Sequence, residues 1–292
     1  MSVATSVQEA ERHLQDPGVD ALVRDLGIPP RPQILAELSQ EMARPEPDTQ
    51  RIARIVASDV ALTAAVLRVA NSPAYALTRR AETLGQAVGL LGLRQIGAMV
   101  TGLVMRKALR TDGPQLTRFW DVSAKRSWAL SMLARNLRGV DVDVAQTFGL
   151  FCDVGIPLLM QRFPDYGRTL QAANAATDRS FTETEQAAHH TDHALIGALM
   201  ARSWGVSQAV CLAIRLHHDY AVFSDSKVPE QVARLIAMGL VAERAIQTFA
   251  GLNNSTEWAR GAEGALGALM LGDADVHEWV ERLVEGFSDG AA

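Results

Sequence analysis

Five of the seven histidines in this 292-residue chain fall between positions 189 and 218. His189, His190 and His193 form one group, and His217 with His218 another. Neutral imidazoles are nitrogen donors suited to divalent metals, so the grouping reads at first as a metal-binding cluster. Successive residues of a helix point about 100° apart, however, so His217 and His218 need not share a site. Cys152 beside Asp153 is the other pairing with chemistry in it. A thiol becomes a nucleophile when a base or a positive neighbour favours the thiolate, and the sequence identifies no such base. Cys152 is therefore expected to be buried and inert. Gly85, Gly89 and Gly92 read as helix-packing and capping glycines, because no strand precedes them as a phosphate loop requires. Arg79-Arg80, Arg106-Lys107 and Arg135 with Arg138 read as solvated faces.

Whatever these residues do, helices must position them. Hydrophobic residues make up 48% of the chain, enough for a substantial core and against a disordered chain. Aromatics are only 5%, which favours close-packed helices over sheets. The net charge is -5 and no basic run appears, so nucleic acid is not an expected partner. No apolar segment of eighteen residues runs uninterrupted and no signal peptide is evident, so a cytoplasmic protein with no membrane span is expected. Two cysteines, both within apolar helical patterns, fit that reducing setting.

Apolar spacing of three and four places helices along the whole chain. Ile34, Leu35, Leu38 and Met42 mark the first, ended by Pro45 and Pro47. Asp48 and Asp59 are expected to cap the next two, and Asn71-Ser72-Pro73 to stop the second of them. Thr83 with Gln86 forms a capping box, and Gly92 suits the end of that helix before Ile96 to Val104 continue. Thr111-Asp112-Gly113-Pro114 is a turn and the expected junction between two halves. Beyond it, helices are expected over 116–137, 144–152, 156–163, 166–176 and 232–249. Thr182 with Glu185 reads as another capping box, and Asp192 and Ser207 as further caps. The last helix carries Val276, Trp279, Val280, Leu283, Val284 and Phe287 on one face. The expected division is an N-terminal extension over 1–18, a main domain over 19–250, and C-terminal helices over 251–292 packed on it. The main domain comprises helical halves at about 19–110 and 115–250.

Several ordered segments together resemble the HDOD domain, the HD-related output domain of bacterial signalling proteins. They are Pro29-Pro30, Ile55-Val56-Ala57-Ser58-Asp59, Leu67-Arg68-Val69-Ala70-Asn71-Ser72 and Thr83-Leu84-Gly85-Gln86-Ala87-Val88 in the first half. In the second half they are Trp120 with Ser123, Gly149-Leu150-Phe151-Cys152-Asp153-Val154-Gly155, Asp192-His193-Ala194, Trp204-Gly205 and Ala213-Ile214-Arg215-Leu216-His217-His218. The resemblance implies an all-α, HD-domain-like helical bundle with an N-terminal helical subdomain, used for signal transduction as an output or scaffold module.

Catalytic HD relatives gather a His on the first core helix, a His-Asp pair and a late Asp around divalent metal, which generates the nucleophilic water. Set against that pattern, this chain has Val122 just before Ser123, Cys152 in place of the His of the pair, and Met238 near the late Asp. Asp153 alone is retained. No enzymatic activity, metal or cofactor is therefore expected, with Asp153, His193, His217 and His218 the vestigial candidates for a metal site. His193 and one of the His217/His218 pair are expected to face a helix seam and hydrogen-bond Asp153 or backbone carbonyls. Asn71 is expected to bond the backbone and Tyr75 to pack the turn. The expected function is a regulatory module working through protein–protein contacts. Its expected partners are histidine kinases, response regulators or cyclic-di-GMP turnover enzymes. Only about forty residues follow Phe249, too few for a kinase or GGDEF domain, so action in trans is expected. The alternatives are a residual metal-dependent phosphohydrolase and a cyclic-dinucleotide sensor.

Overall fold

The computed structural model describes residues 7–15, 23–25, 27–72, 75, 79–109, 114–252 and 256–288. Every regular element among them is helical, as the apolar spacing implies. Pro73, Ala74, Ala76 and Leu77 of the central motif, and Thr111 to Gly113 of the expected junction, lie outside the described residues. The chain divides into two compact units, one of residues 29–120 with 285–292, the other of residues 1–28 with 121–284.

The smaller unit is built from α2 (Gln33–Met42), α3 (Thr49–Ala57), α4 (Val60–Ala70) and α5 (Leu84–Ala108). Local chemistry sets their ends. Asp48 accepts from the backbone N–H groups of Gln50 and Arg51 at the start of α3, and Asp59 from that of Leu62 at the start of α4. Asp59 also binds Lys107 Nζ at 2.6 Å, pinning the far end of α5. The Thr83–Gln86 capping box is present, and Gly92 at φ 81° breaks α5 where an L side chain would be strained. Buried Glu41 joins α2 to α3 by accepting from the Asp48 N–H at 3.0 Å while pairing with Arg44 and Arg51.

Asn71 is the lock of this unit. Its Nδ2 donates to the carbonyls of Leu67 and Ala81, each at 2.8 Å, and its Oδ1 accepts from Ala81 N–H at 2.7 Å. The side chain thus ties the end of α4 to the chain entering α5, as a backbone-bonding reading of Asn71 expects. Tyr75 Oη accepts from Gln95 Nε2 at 3.0 Å. Replacing Asn71 by Ala removes all three bonds and strands the Ala81 peptide. A loss of about 2 kcal/mol is expected in chemical denaturation.

The larger unit contains α1 (Val7–Gln15) and, after the first residues of α6 (Pro114–Asn136), the rest of that helix. There follow α7 (Val142–Phe151), α8 (Gly155–Arg162), α9 (Tyr166–Ala175), α10 (Phe181–His189), α11 (His193–Ser203) and α12 (Gln208–Leu216). A 3₁₀ turn (Tyr220–Phe223), α13 (Glu230–Phe249), α14 (Thr256–Leu269) and α15 (Asp273–Ser288), whose last residues are assigned to the smaller unit, come after these. Phe148, Phe151, Leu159, Ile196, Leu199 and Leu235 fill the core. Two stretches, Leu84–Ala108 and Val142–Arg162, are long and apolar enough to cross a membrane by composition, although no eighteen apolar residues run unbroken. The second is largely buried within its own unit, as a core helix is.

Two expected caps are corrected. The box that opens α10 is Ser180 with Glu183, not Thr182 with Glu185. Phe181 turns into the core there, which moves the helix start two residues earlier and leaves Glu185 fully buried. Ser207 precedes α12 but its side chain makes no capping bond.

Candidate functional site

The site lies in the larger unit, where α11, the end of α12 and the turn between α7 and α8 meet. Glycine permits the approach. A Cβ on Gly155 would stand 2.1 Å from the His193 carbonyl oxygen, and one on Gly197 3.3 Å from the Gly155 nitrogen. With hydrogen at both positions, α8 begins directly against α11, and Asp153 at the turn comes within reach of His193.

Asp153, His193, His217 and His218 converge, each offering one ligand atom within 4.8 Å of all the others. His193 Nε2 is 3.3 Å from His217 Nε2 and 3.2 Å from His218 Nε2. Asp153 Oδ1 is 3.3 Å from His217 Nε2 and 3.7 Å from His193 Nε2. All four vestigial candidates thus come together, and both His217 and His218 take part. The 100° offset does not separate them, because α12 ends at Leu216 and the pair sits in the turn beyond it. His189 and His190 are elsewhere. His189 bonds Thr169 at 2.8 Å and stacks on Phe163, while exposed His190 is the left-handed residue ending α10.

Every ring is held from behind. His193 Nδ1 lies 2.7 Å from Glu185 Oε2, which also accepts the His193 backbone N–H at 3.1 Å. Tyr166 donates its hydroxyl to the other Glu185 oxygen. His217 Nδ1 donates to the Ile214 carbonyl at 2.7 Å. His218 Nδ1 is 2.6 Å from Glu257 Oε2, an oxygen that also accepts from the Tyr220 hydroxyl at 2.6 Å. The His218 ring stacks on Phe181 with centroids 5.0 Å apart. Supporting carboxylates and carbonyls of this kind fix the ring orientation and leave each Nε2 facing inward.

Arg126 backs the carboxylate. One of its nitrogens is 2.7 Å from Asp153 Oδ2 and another 2.8 Å from Glu243 Oε2. Burial opposes the charged form of Asp153, but the Arg126 guanidinium, with His217 and His193, holds its carboxyl well below the usual range. Burial likewise opposes ionised Glu257, yet His218 and Tyr220 bring its pKa down to about 2. Glu185 is lowered too, against its burial, by His193 and Tyr166. Burial and the neighbouring charge of His217 lower His218. Burial also disfavours charged His217, but Cys152 and Asp153 raise it well above the ordinary histidine value. His217 is therefore the basic neighbour of Cys152 that the sequence does not identify. Cys211 is a plain buried thiol, pushed up to about 11 by desolvation.

The sequence reading missed Glu185, Arg126, Glu257, Tyr166 and Tyr220. The only local signal is for Glu185, a carboxylate on the inward side of an amphipathic helix, and there the capping motif gave a competing explanation. Chemically, three imidazole nitrogens and one carboxylate oxygen facing one centre are a donor set for a divalent cation.

The HDOD domain family model matches residues 28–220. An uncharacterized protein of Treponema pallidum (strain Nichols) is 23% identical over 226 residues, which are 77% of this chain and 43% of that protein. The chain thus spans less than half the length of the curated relative it matches. Three solved structures share its helical course. A phosphohydrolase candidate from Shewanella amazonensis SB2B superposes with a TM-score of 0.71 at 21% identity, covering 95% of this chain and 97% of its own. A signal-transduction candidate from Marinobacter aquaeolei VT8 gives 0.76 at 21%, covering 99% and 66%. An HDOD domain protein of unknown function from Geobacter sulfurreducens gives 0.71 at 20%, covering 96% and 96%. At these identities the likeness concerns the fold, which is all-α and HD-like. The family match spans both units and most of the histidine-bearing helices, and the chain belongs to the HDOD domain family.

Proposed function

We propose that this protein is a non-catalytic signal-transduction module that acts through protein–protein contacts. Its proposed partners are histidine kinases, response regulators or cyclic-di-GMP turnover enzymes. The observation that carries the reading is the seat of Arg126 on Asp153. Metal-assisted phosphoester hydrolysis needs an ion with an open position for water, and often a carboxylate bridging two ions. Here the second oxygen of Asp153 is taken by a buried guanidinium that also binds Glu243. Val122 and Met238 supply no ligand in place of those that catalytic relatives use, and Cys152 offers a buried thiol where they use an imidazole.

A residual metal-dependent phosphohydrolase is the second reading, favoured by the convergence of the three imidazoles with Asp153. One experiment separates the two. Untagged full-length protein is loaded with Mn²⁺, Fe²⁺ or Zn²⁺ and incubated with bis-p-nitrophenyl phosphate and a panel of cyclic dinucleotides. No turnover above the metal blank is expected, while affinity capture from the native host recovers a kinase, response regulator or cyclic-dinucleotide enzyme. Metal-dependent turnover abolished by Asp153→Asn would establish the hydrolase instead.

A further inference from the structure

We propose that the partner of an exposed apolar corner at Met270 is a second copy of this chain, the corner of each copy docking on the outer face of α4 of the other. This association is independent of the signalling reading and of the histidine cluster. The corner also lies beyond the residues that the family model matches.

Met270 closes α14 in a conformation that disfavours it. Its φ is 55°, and its N–H donates to the Gly267 carbonyl at 3.2 Å while that of Leu271 donates to the Leu266 carbonyl at 3.0 Å. Glycine is the usual residue at such a helix end, because an L side chain there crowds its own backbone. Among the described residues, Gly27, Gly92, Gly139, Gly205, Gly251 and His190 hold the other positive-φ positions, and histidine is of a polar type that tolerates them. No burial within the chain offsets the strain, since Met270 is 77% exposed. A flexible, polarizable side chain presented in this way suits an apolar surface of another molecule. The rim of the corner is acidic. Glu263, Asp273, Asp275 and Glu278 are exposed, and no Lys or Arg occurs from 261 to 281.

Val60 is the complementary feature. At 82% it is more exposed than any other large apolar residue described. Spacing of three and four puts Val60, Ala61, Ala64 and Arg68 on the outward side of α4, and all four are exposed. The Lys107–Asp59 pair sets the end of α5, with exposed Arg106, beside the start of α4. An apolar strip thus has a cation at either end, and the carboxylate next to it, Asp59, is already bound to Lys107.

The wider charge distribution agrees. Residues 29–120 carry twelve Lys or Arg and seven Asp or Glu, a net +5, whereas the whole chain is -5, which leaves -10 on the remainder. One copy therefore bears an apolar knob with an anionic rim and an apolar strip with a cationic rim. Opposite rims attract across a contact, and like rims repel. A twofold axis makes the contact reciprocal and closes the assembly at two copies. Each contact is small, which puts the dimer in the weak, transient class.

Untagged full-length protein at about 1–200 µM should dimerise with rising concentration in sedimentation velocity at about 0.05 M salt, and about 10-fold or more weakly at about 0.5 M. Met270→Gly should weaken the dimer by at least about 10-fold through the apolar area lost. The same substitution relieves the left-handed strain, so Tm should hold or rise and misfolding cannot account for the loss. Arg68→Glu combined with Arg106→Glu, and separately Asp273→Arg, should each give monomers. Mixed, the two variants should form a heterodimer, because the acidic α4 of one meets the basic corner of the other and the two unaltered surfaces meet as before. A wild-type monomer at every concentration, a dimer indifferent to Met270→Gly or to salt, or no heterodimer in the mixture would overturn the proposal. So would a wild-type monomer that captures a host protein which Met270→Gly fails to capture, since the corner would then have another partner.

Discussion

Gly155→Ala should unfold the larger unit more readily than any other single-methyl addition described, costing at least about 3 kcal/mol in denaturant titration. The added Cβ would stand 2.1 Å from the His193 carbonyl oxygen and 2.8 Å from its Cα. These are backbone atoms, so no rotamer change relieves the contact, and overpacking that cannot relax lies at or beyond the usual range of 1–3 kcal/mol. The start of α8 must withdraw from α11, taking Asp153 away from His193 and His217. The variant should therefore lose the convergence of Asp153 with the imidazoles along with stability. Gly267→Ala is the internal control. No atom lies within 4 Å of its added Cβ and its φ is not in the left-handed region, so removing a helical glycine there should stabilise by roughly 0.5–1 kcal/mol. If both substitutions prove neutral, the α8–α11 contact does not set the position of Asp153.

That contact shows where sequence reasoning stops. Helix ends were legible because capping is local: Asp48, Asp59, Asp192 and the Thr83–Gln86 pair bond backbone groups two to three residues away. The family and the all-α class were legible because apolar spacing and ordered motifs run along the chain. The four candidate donors were legible as residues, but their meeting was not. It depends on Gly155 fitting against His193, thirty-eight positions away, and on α12 ending one residue before His217. Arg126 and Glu243 are 117 positions apart, and Tyr220 and Glu257 are 37 apart. No periodicity within a single helix encodes such pairs. Glu185 was misread for a different reason. Two Ser/Thr-x-x-Glu registers overlap between 180 and 185, and the burial of Phe181, a tertiary effect, chooses between them.

Arg126→Met should cost about 3–5 kcal/mol at pH 7 in chemical denaturation. Removing one member of a buried ion pair leaves its partner charged and unpaired in a poorly solvated place. Arg126 is buried and serves both Asp153 and Glu243, so the loss should far exceed the 1 kcal/mol or less of a surface pair. The pH dependence identifies the cause. In the wild type the folded pKa of Asp153 lies below the unfolded value of about 3.9. Its contribution is therefore fully present above that value and lost as pH falls through the folded pKa. Without Arg126 the desolvation of Asp153 is unopposed by its principal cation, so the folded pKa moves upward. The variant then loses stability as pH rises from about 4 toward 7, where the buried carboxylate is forced to ionise. The difference between the two proteins should be largest near pH 7 and shrink toward pH 3, where Asp153 is protonated in the variant. Arg126→Lys keeps the charge but cannot reach both carboxylates with one planar fork, and should fall between them. A cost independent of pH across that window would mean that Arg126 acts through packing alone, and would remove the electrostatic account of the site.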